Sequence, residues 1–240
     1  MFENVSFLFP YKPDRGIRDT NFKWIKKFYK KTYPKAEICV GINNEKLFNR
    51  SQAINLAAKQ ATREIFVIVD ADIFCDPSVL KESIKLLKKA PWVIPYRYII
   101  RIAEENSRKL LKTAPGWPLE ITDFEKIDTT KYTFDWVGHI NIIPRKYFMA
   151  VGGFDERFCG WGGEDDAFSC AVNTLCGPYK RLEHSIHHLW HPVVGYENNP
   201  NGDTNKKLRE FYYQANNDKV KMKRVIKHAA SIFNQRKKKR

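Results

Sequence analysis

Short blocks of apolar residues alternate with stretches in which apolar positions recur every three or four residues, and this alternation sets the expected architecture. Val5-Ser6-Phe7-Leu8-Phe9, closed by Pro10, reads as a buried strand. Glu37-Ile38-Cys39-Val40-Gly41 and Ile65-Phe66-Val67-Ile68-Val69 read as two more. Between the first two, Phe22, Ile25, Phe28 and Tyr29 share one helical face behind a cap at Asp19 or Thr20. From Arg50 to Thr62, Ala53, Ile54, Ala57, Ala58 and Ala61 share another. Strand, helix, strand, helix, strand is the order of a parallel sheet covered by helices, in which ligands bind beyond the carboxyl ends of the strands. Pro10-Tyr11-Lys12 and Asp70-Ala71-Asp72 both follow strand ends, so both are expected at one crevice.

Further along, a helix is expected from Pro77 to Lys89, stopped by Pro91, with strands over Trp92–Ile102 and Asp135–Ile143. Thr113–Lys131, rich in Pro, Gly, Thr and charge, reads as a variable loop over the site. From Thr204 the pattern is helical and basic, ending Gln235-Arg236-Lys237-Lys238-Lys239-Arg240.

Length and composition narrow the classes. The 240 residues suit one large α/β domain, and no window approaches the ~20 apolar residues of a membrane span. The N-terminus lacks the basic and apolar regions of a signal peptide, so the default expectation is a cytoplasmic protein, with the inner face of a membrane as a further setting. Five cysteines without CxxC spacing point to buried free thiols rather than a disulfide framework or structural zinc. A net charge of +15 attracts polyanions: nucleic acid, anionic lipid or a nucleotide diphosphate. Nothing in the pattern calls for an obligate protein partner.

Two acidic clusters carry the candidate chemistry. Asp70 and Asp72, alternate residues behind a strand, are expected to project from one side of the chain. There one can reach Mg²⁺ or Mn²⁺ while the other holds ribose or orders the metal's waters; an ordinary strand-end turn is the competing reading. Gly160-Trp161-Gly162-Gly163 leads into Glu164-Asp165-Asp166 at the start of a helix through Ala167, Phe168, Ala171, Val172 and Leu175. Carboxylates there favour a helix N-terminus, but capping alone does not ask for the glycines and the tryptophan.

Gly160-Trp161-Gly162-Gly163-Glu164-Asp165-Asp166 resembles the signature of the β-1,4-galactosyltransferases, whose relatives include polypeptide N-acetylgalactosaminyltransferases and chondroitin polymerases. Phe48-Asn49-Arg50 is similar to the group's nucleotide-contacting Phe-Asn-Arg, and Asp70-Ala71-Asp72 falls where its Asp-x-Asp lies. The resemblance implies a GT-A fold, α/β with a mixed, mostly parallel central sheet, over 1–203, followed by a basic helical extension over 204–240. It implies an inverting, divalent-metal-dependent glycosyltransferase that moves a hexose or N-acetylhexosamine from a UDP-sugar to an acceptor hydroxyl. By the same resemblance Asp165 is the catalytic base, and Trp161, Glu164, Asp165 and Asp166 meet acceptor and donor sugar. Trp161 is expected on a mobile loop that excludes water. By this resemblance Pro10, Tyr11, Arg15, Phe48, Arg50, Asp70, Ala71, Asp72, Trp161 and Gly163 are expected to line the donor. Among His184, His187, His188 and His191, the segment His188-Leu189-Trp190-His191 is similar to the group's Met-x-x-His with His for Met, so His188 or His191 joins Asp72 on Mn²⁺ or Mg²⁺.

The acceptor stays open between a glycan, wall polymer or glycolipid, with the basic C-terminal segment on an anionic membrane, and a hydroxymethylated DNA base held by the same charge. Readings of another class are a metal-dependent nucleotidyl- or phosphoryl-transfer enzyme, which leaves the Gly-Trp-Gly-Gly-Glu-Asp-Asp segment unexplained, and a non-catalytic sugar- or nucleic-acid-binding module, against which intact Asp70, Asp72 and Asp165 argue.

Overall fold

The computed structural model describes residues 2–132, 136–192, 195 and 198–227. The N-terminal half follows the expected alternation: β1 (Val5–Tyr11), α1 (Ile17–Thr32), β2 (Glu37–Ile42), α2 (Arg50–Gln60) and β3 (Ile65–Val69). β1 pairs in parallel with β2 on one side and β3 on the other. Every β1 side chain from Val5 to Pro10 is buried, because the sheet is covered on its faces as well as paired at its edges (Tyr29 and Phe22 of α1 pack on Phe7 and Phe9), which is why the apolar run is continuous rather than alternating.

The chain continues through β4 (Ile73–Cys75), α3 (Pro77–Leu86), β5 (Val93–Ile94), β6 (Tyr98–Ile102), α4 (Glu104–Leu110), β7 (Phe124–Asp128) and β8 (Ile140–Pro144). It ends in α5 (Arg145–Ala150), α6 (Glu164–Leu175), β9 (Lys180–Arg181), β10 (Ser185–His188), α7 (Gly202–Gln214) and a last helix, α8, over residues 219–227. The six-stranded sheet has the order β2-β1-β3-β8-β5-β9, with β8 antiparallel to β3 and β5. A second sheet, β4-β10-β6-β7, stands beside it. One apolar core runs from Val5 to Met222, so packing is continuous across residue 203: Leu208, Tyr212, Ala215 and Met222 all belong to it.

Several boundaries differ from the sequence expectation, each for a local reason. Trp92–Ile102 is two strands in different sheets, separated at Pro95, whose missing N–H cannot extend a ladder. The Thr113–Lys131 segment is not all loop, since β7 pairs along β6 within it. The strand expected over Asp135–Ile143 is β8, Ile140–Pro144; Asp135 lies outside the described residues. α3 stops at Leu86 and turns before Pro91 is reached. α1 starts at Ile17 behind Gly16, so neither Asp19 nor Thr20 caps it. The Asp19 carboxylate is engaged elsewhere, accepting from Tyr11 Oη at 2.6 Å and from the N–H groups of Asp14 and Arg15 at 2.9 and 3.1 Å. No helix among the described residues is long and apolar enough to cross a membrane.

β2 reaches α2 at Gly41, where a Cβ would overlap the carbonyl oxygen of Ala53 on the helix. The obstacle is backbone, which cannot swing aside. Gly41→Ala is therefore expected to lower unfolding free energy by roughly 3 kcal/mol, read from the urea midpoint at unchanged m-value.

Candidate functional site

The two acidic motifs reach the same crevice by separate routes. Val69 ends β3, and Asp70–Asp72 form a turn closed by the Ile73 N–H on the Asp70 carbonyl at 3.2 Å. In this turn the two carboxylates do not share a side as extended geometry would have placed them. Asp70 faces Arg50 and His139, whereas Asp72 faces His188, His191 and Arg18. The tight chain reversal from β3 into β4, absent from the sequence expectation, rotates them apart.

Strand pairing assembles the Asp72 pole. β10 runs antiparallel to β4 with His188 opposite Ile73, and the Leu189 N–H donates to the Asp72 carbonyl at 3.0 Å. His188 Nε2 thereby lies 3.9 Å from Asp72 Oδ1, and His191 Nε2 lies 3.2 Å from Oδ2. One ligand atom from each of Asp72, His188 and His191 falls within 4.8 Å of the others, so both histidines converge where the sequence left a choice of one. His187 alternates to the other face, against Phe74 and Trp117, and His184 pairs with Glu82. Burial pushes the His188 pKa down to about 4, so the imidazole is neutral, the form that ligates. Burial resists ionisation of Asp72, but His188, His191 and Arg18 hold its carboxyl well below the usual range. His191 Nδ1 lies 2.9 Å from the Pro192 carbonyl, which turns Nε2 toward Asp72. An anionic oxygen and two imidazole nitrogens, with the carboxylate ionised at neutral pH, fit a first-row divalent cation.

A second pole forms around Arg50, in the first turn of α2. Asn49 caps that helix by accepting from the Gln52 N–H at 2.8 Å, and its amide reaches the Glu156 carbonyl at 2.8 Å. The Phe48 carbonyl accepts from the Gly160 N–H at 3.1 Å, so Phe48-Asn49-Arg50 is stitched to the glycine-rich loop through its backbone. Arg50 Nη1 donates to Asp165 Oδ1 at 2.6 Å, Nε donates to Asp70 Oδ1 at 2.8 Å, and Nη1 lies 3.6 Å from Glu164 Oε1. Its side chain is about one-eighth exposed (12%), so it is a buried cation among three carboxylates.

The loop 160–163 meets this pole by local geometry. Gly160, Gly162 and Gly163 take φ of 76°, 106° and 94°, and a Cβ at Gly160 would strike the Asn199 amide. Gly163 precedes α6, placing Glu164, Asp165 and Asp166 in its first turn. Trp161 is 56% exposed while its carbonyl accepts from Asn199 Nδ2 at 2.8 Å. Asn205, on α7, reaches the carbonyls of Cys159 and Gly162, and Arg209 pairs with Asp166 at 3.2 Å. Pro10 is buried at the end of β1, Tyr11 packs against Phe22, and Ala71 is half-buried in the Asp70–Asp72 turn. Arg15 is exposed; Arg18, one turn farther on, reaches His191 Nδ1 at 2.9 Å. Arg18, His139, Asn199, Asn205 and Arg209 were not singled out in the sequence, since a lone Arg, His or Asn carries no spacing signal.

Residues 22–152, more than half of the chain, match the family model of glycosyl transferase family 2. Residues 123–193 match a model described as the N-terminal domain of galactosyltransferase. No curated protein matches. Among solved structures, a mannosyltransferase from Pyrobaculum calidifontis in complex with GDP-Man and Mn²⁺ is similar at 15% identity and a TM-score of 0.52, over 95% of this chain and 68% of that one. A mutant Drosophila β-1,4-galactosyltransferase 7 in complex with manganese, UDP-Gal and xylobiose is similar at 16% identity and a TM-score of 0.49, over 78% of this chain and 71% of that one.

Glu164 gives the site a measurable pH signature. Burial, then the Asp165 charge, raises its pKa to about 8 in spite of Arg50, and its Oε2 has no hydrogen-bond partner among the described residues. An acid with a folded pKa above its unfolded value keeps a proton that the unfolded chain releases, so stability falls as pH rises between the two. Below pH 6.5 the depressed His188 pKa acts in the opposite sense; above it His191, whose pKa is raised in spite of burial by the Asp72 carboxylate, acts in the same sense as Glu164, so pH 6.5–8 is the window in which stability falls. In metal-free protein, Glu164 is expected to contribute up to about 2 kcal/mol to the drop in unfolding free energy across that window, and Glu164→Gln should reduce the slope in urea titrations by that share.

Proposed function

The chain belongs to glycosyl transferase family 2 and is a GT-A glycosyltransferase; from that premise we propose that it transfers a hexose or N-acetylhexosamine from a UDP-sugar to an acceptor hydroxyl with inversion, using Asp165 as the base. The observation that carries this is the junction of the two motifs at Arg50, which sets Asp165 beside Asp70 in one crevice at the strand ends. The mannosyltransferase that shares the fold holds GDP-Man and Mn²⁺, in keeping with a nucleotide-diphosphate donor.

Asp72, His188 and His191 would hold Mn²⁺ or Mg²⁺, which when bound neutralises charge on the departing diphosphate. The remaining work falls to the chain. Asp70, held by Arg50, would receive the ribose side of the donor, between Pro10-Tyr11 and Ala71, and Arg18 would add a cation beside the diphosphate. Asp165 would take the acceptor proton as the new bond forms, because a neutral alcohol is a poor nucleophile. Attack from the face opposite the nucleotide inverts the anomeric carbon. Glu164, protonated near neutral pH, would donate to a sugar oxygen through the carboxyl edge that lacks a partner, and Asp166 would meet the acceptor. Trp161 would cover the pair and exclude water.

The charge distribution bears on the acceptor. Residues 204–240 hold thirteen Lys and Arg against Glu210 and Asp218, so most of the net +15 lies there. On α8 the outward face sets Val220, 61% exposed, among Lys223, Arg224 and Lys227, with Met222 buried behind. A basic face with an exposed aliphatic centre suits an anionic lipid surface, which favours a lipid-linked or membrane-proximal acceptor over a DNA base.

A screen of UDP-sugars with Mn²⁺ and Mg²⁺ should detect donor hydrolysis and, with acceptor, transfer. Asp165→Asn is expected to cut turnover at least ~10²-fold with UDP affinity nearly intact; equal loss of both would refute the base. Asp72→Ala should abolish the Mn²⁺-dependence of UDP binding in calorimetry, and unchanged UDP–Mn²⁺ affinity would remove Asp72 from the metal site. Full-length protein should co-sediment with vesicles containing phosphatidylglycerol at low salt and be released as salt rises. Retention on duplex DNA without vesicle binding would reverse the choice of acceptor.

A further inference from the structure

The donor assignment above leaves unexplained a residue outside every motif. His139 has φ of 63°, and the Ile140 N–H donates to the Gly138 carbonyl at 2.7 Å, closing a three-residue turn around it. With positive φ at the centre this is the rare, strained form of the γ-turn. The other described non-glycine residues with positive φ, Arg15 and Asn217, are both exposed, whereas His139 is half-buried inside the crevice. Strain of this kind persists only where surrounding contacts over-determine it.

Those contacts are specific. Tyr96 Oη donates to the carbonyls of Gly138 at 3.0 Å and Trp136 at 3.2 Å, and Arg181 donates to the carbonyls of Tyr96 and Trp136 at 3.0 and 3.1 Å. Together they anchor the turn from behind. In front, the His139 carbonyl accepts from the Asp70 N–H at 2.9 Å, and His139 Nδ1 lies 3.4 Å from Asp70 Oδ2. Arg50 holds the opposite carboxylate oxygen, Oδ1. A Cβ at Gly138 would lie 2.5 Å from Asp165 Oδ2, so the same turn also abuts the carboxylate assigned as base.

We propose that His139 is a positioning residue: its strained turn sets the spacing between Asp70 and Asp165, and its imidazole fixes the Asp70 carboxylate in the orientation that receives the nucleotide. This rests on the donor role given to Asp70 above. A residue kept only for packing would be better replaced by glycine, which adopts the same φ without cost. The imidazole is the part that glycine removes.

Two replacements separate the roles. His139→Gly keeps the turn and loses the side chain; His139→Asn tolerates positive φ and restores an N–H donor. With His139→Gly, the melting temperature is expected to hold or rise while the Kd for UDP in Mn²⁺ increases about tenfold, the scale of one hydrogen bond to a charged group. His139→Asn should recover most of that loss. A second readout needs no nucleotide: ¹⁵N-histidine spectra of the metal-free protein should show His139 as the Nδ1–H tautomer. UDP affinity unchanged in His139→Gly, an Asn variant no better than Gly, a sharp fall in melting temperature with Gly, or an Nε2–H tautomer would each overturn the proposal. Wild-type protein that binds no UDP yet shows the Nδ1–H tautomer would refute the donor reading and leave the hold on Asp70 standing.

Discussion

A single buried guanidinium joins the two halves of this site. Arg50 stands in the first turn of α2, Asp70 follows β3, and Glu164 and Asp165 open α6, more than ninety residues later in the chain. Three carboxyl groups this close repel one another strongly away from bulk water, and burial opposes the ionisation of Asp70 and Glu164. Arg50 offsets part of that cost, and its own pKa rises although burial alone would lower it. Glu164, the most enclosed of the three, keeps its proton. The cluster is therefore a compromise: three carboxyl groups around one cation, with one of the three kept protonated. Loss of the cation would leave buried anions without compensation, a more costly defect than loss of the whole group.

The Asp72 pole is organised by the opposite logic. There a carboxylate is held ionised beside two imidazoles and the edge of Arg18, and no buried cation is locked onto it. At one pole a buried guanidinium occupies the centre of the carboxylates, while at the other a carboxylate oxygen and two imidazole nitrogens lie within 4.8 Å of one another, with no described side chain set between them as a counter-ion of that kind. The Asp70–Asp72 turn is the pivot between them, with one carboxylate turned to each. The second sheet exists at this point for a definite purpose: β10, paired to both β4 and β6, carries His188 to Asp72, and the chain beyond it brings His191.

What could be read in advance divides along the same lines. The β1–α1–β2–α2–β3 half was legible because its apolar blocks are continuous and its helices carry one apolar stripe each. Both acidic motifs, the glycine-rich approach and the histidine cluster were legible because several chemically loaded residues lie close in sequence. The second sheet was not, since β4 and β10 are three and four residues long and too short to show a period. Nor was the divergence of Asp70 from Asp72, which depends on a chain reversal rather than on spacing. Arg18, His139 and Asn205 are isolated in sequence and acquire meaning only from what tertiary packing sets beside them.

The grip of Asn199 and Asn205 on the loop over the site has a mechanical corollary. Their amides hold the carbonyls of Cys159, Trp161 and Gly162, and Asn205 is itself embedded in α7. The main chain at the tryptophan is thus riveted at its base, while the indole projects into solvent. For the covering role proposed for Trp161, closure then calls for rotation about two side-chain bonds, a swinging shutter on a fixed frame, and the entropy that role would surrender is that of one ring rather than of a whole segment.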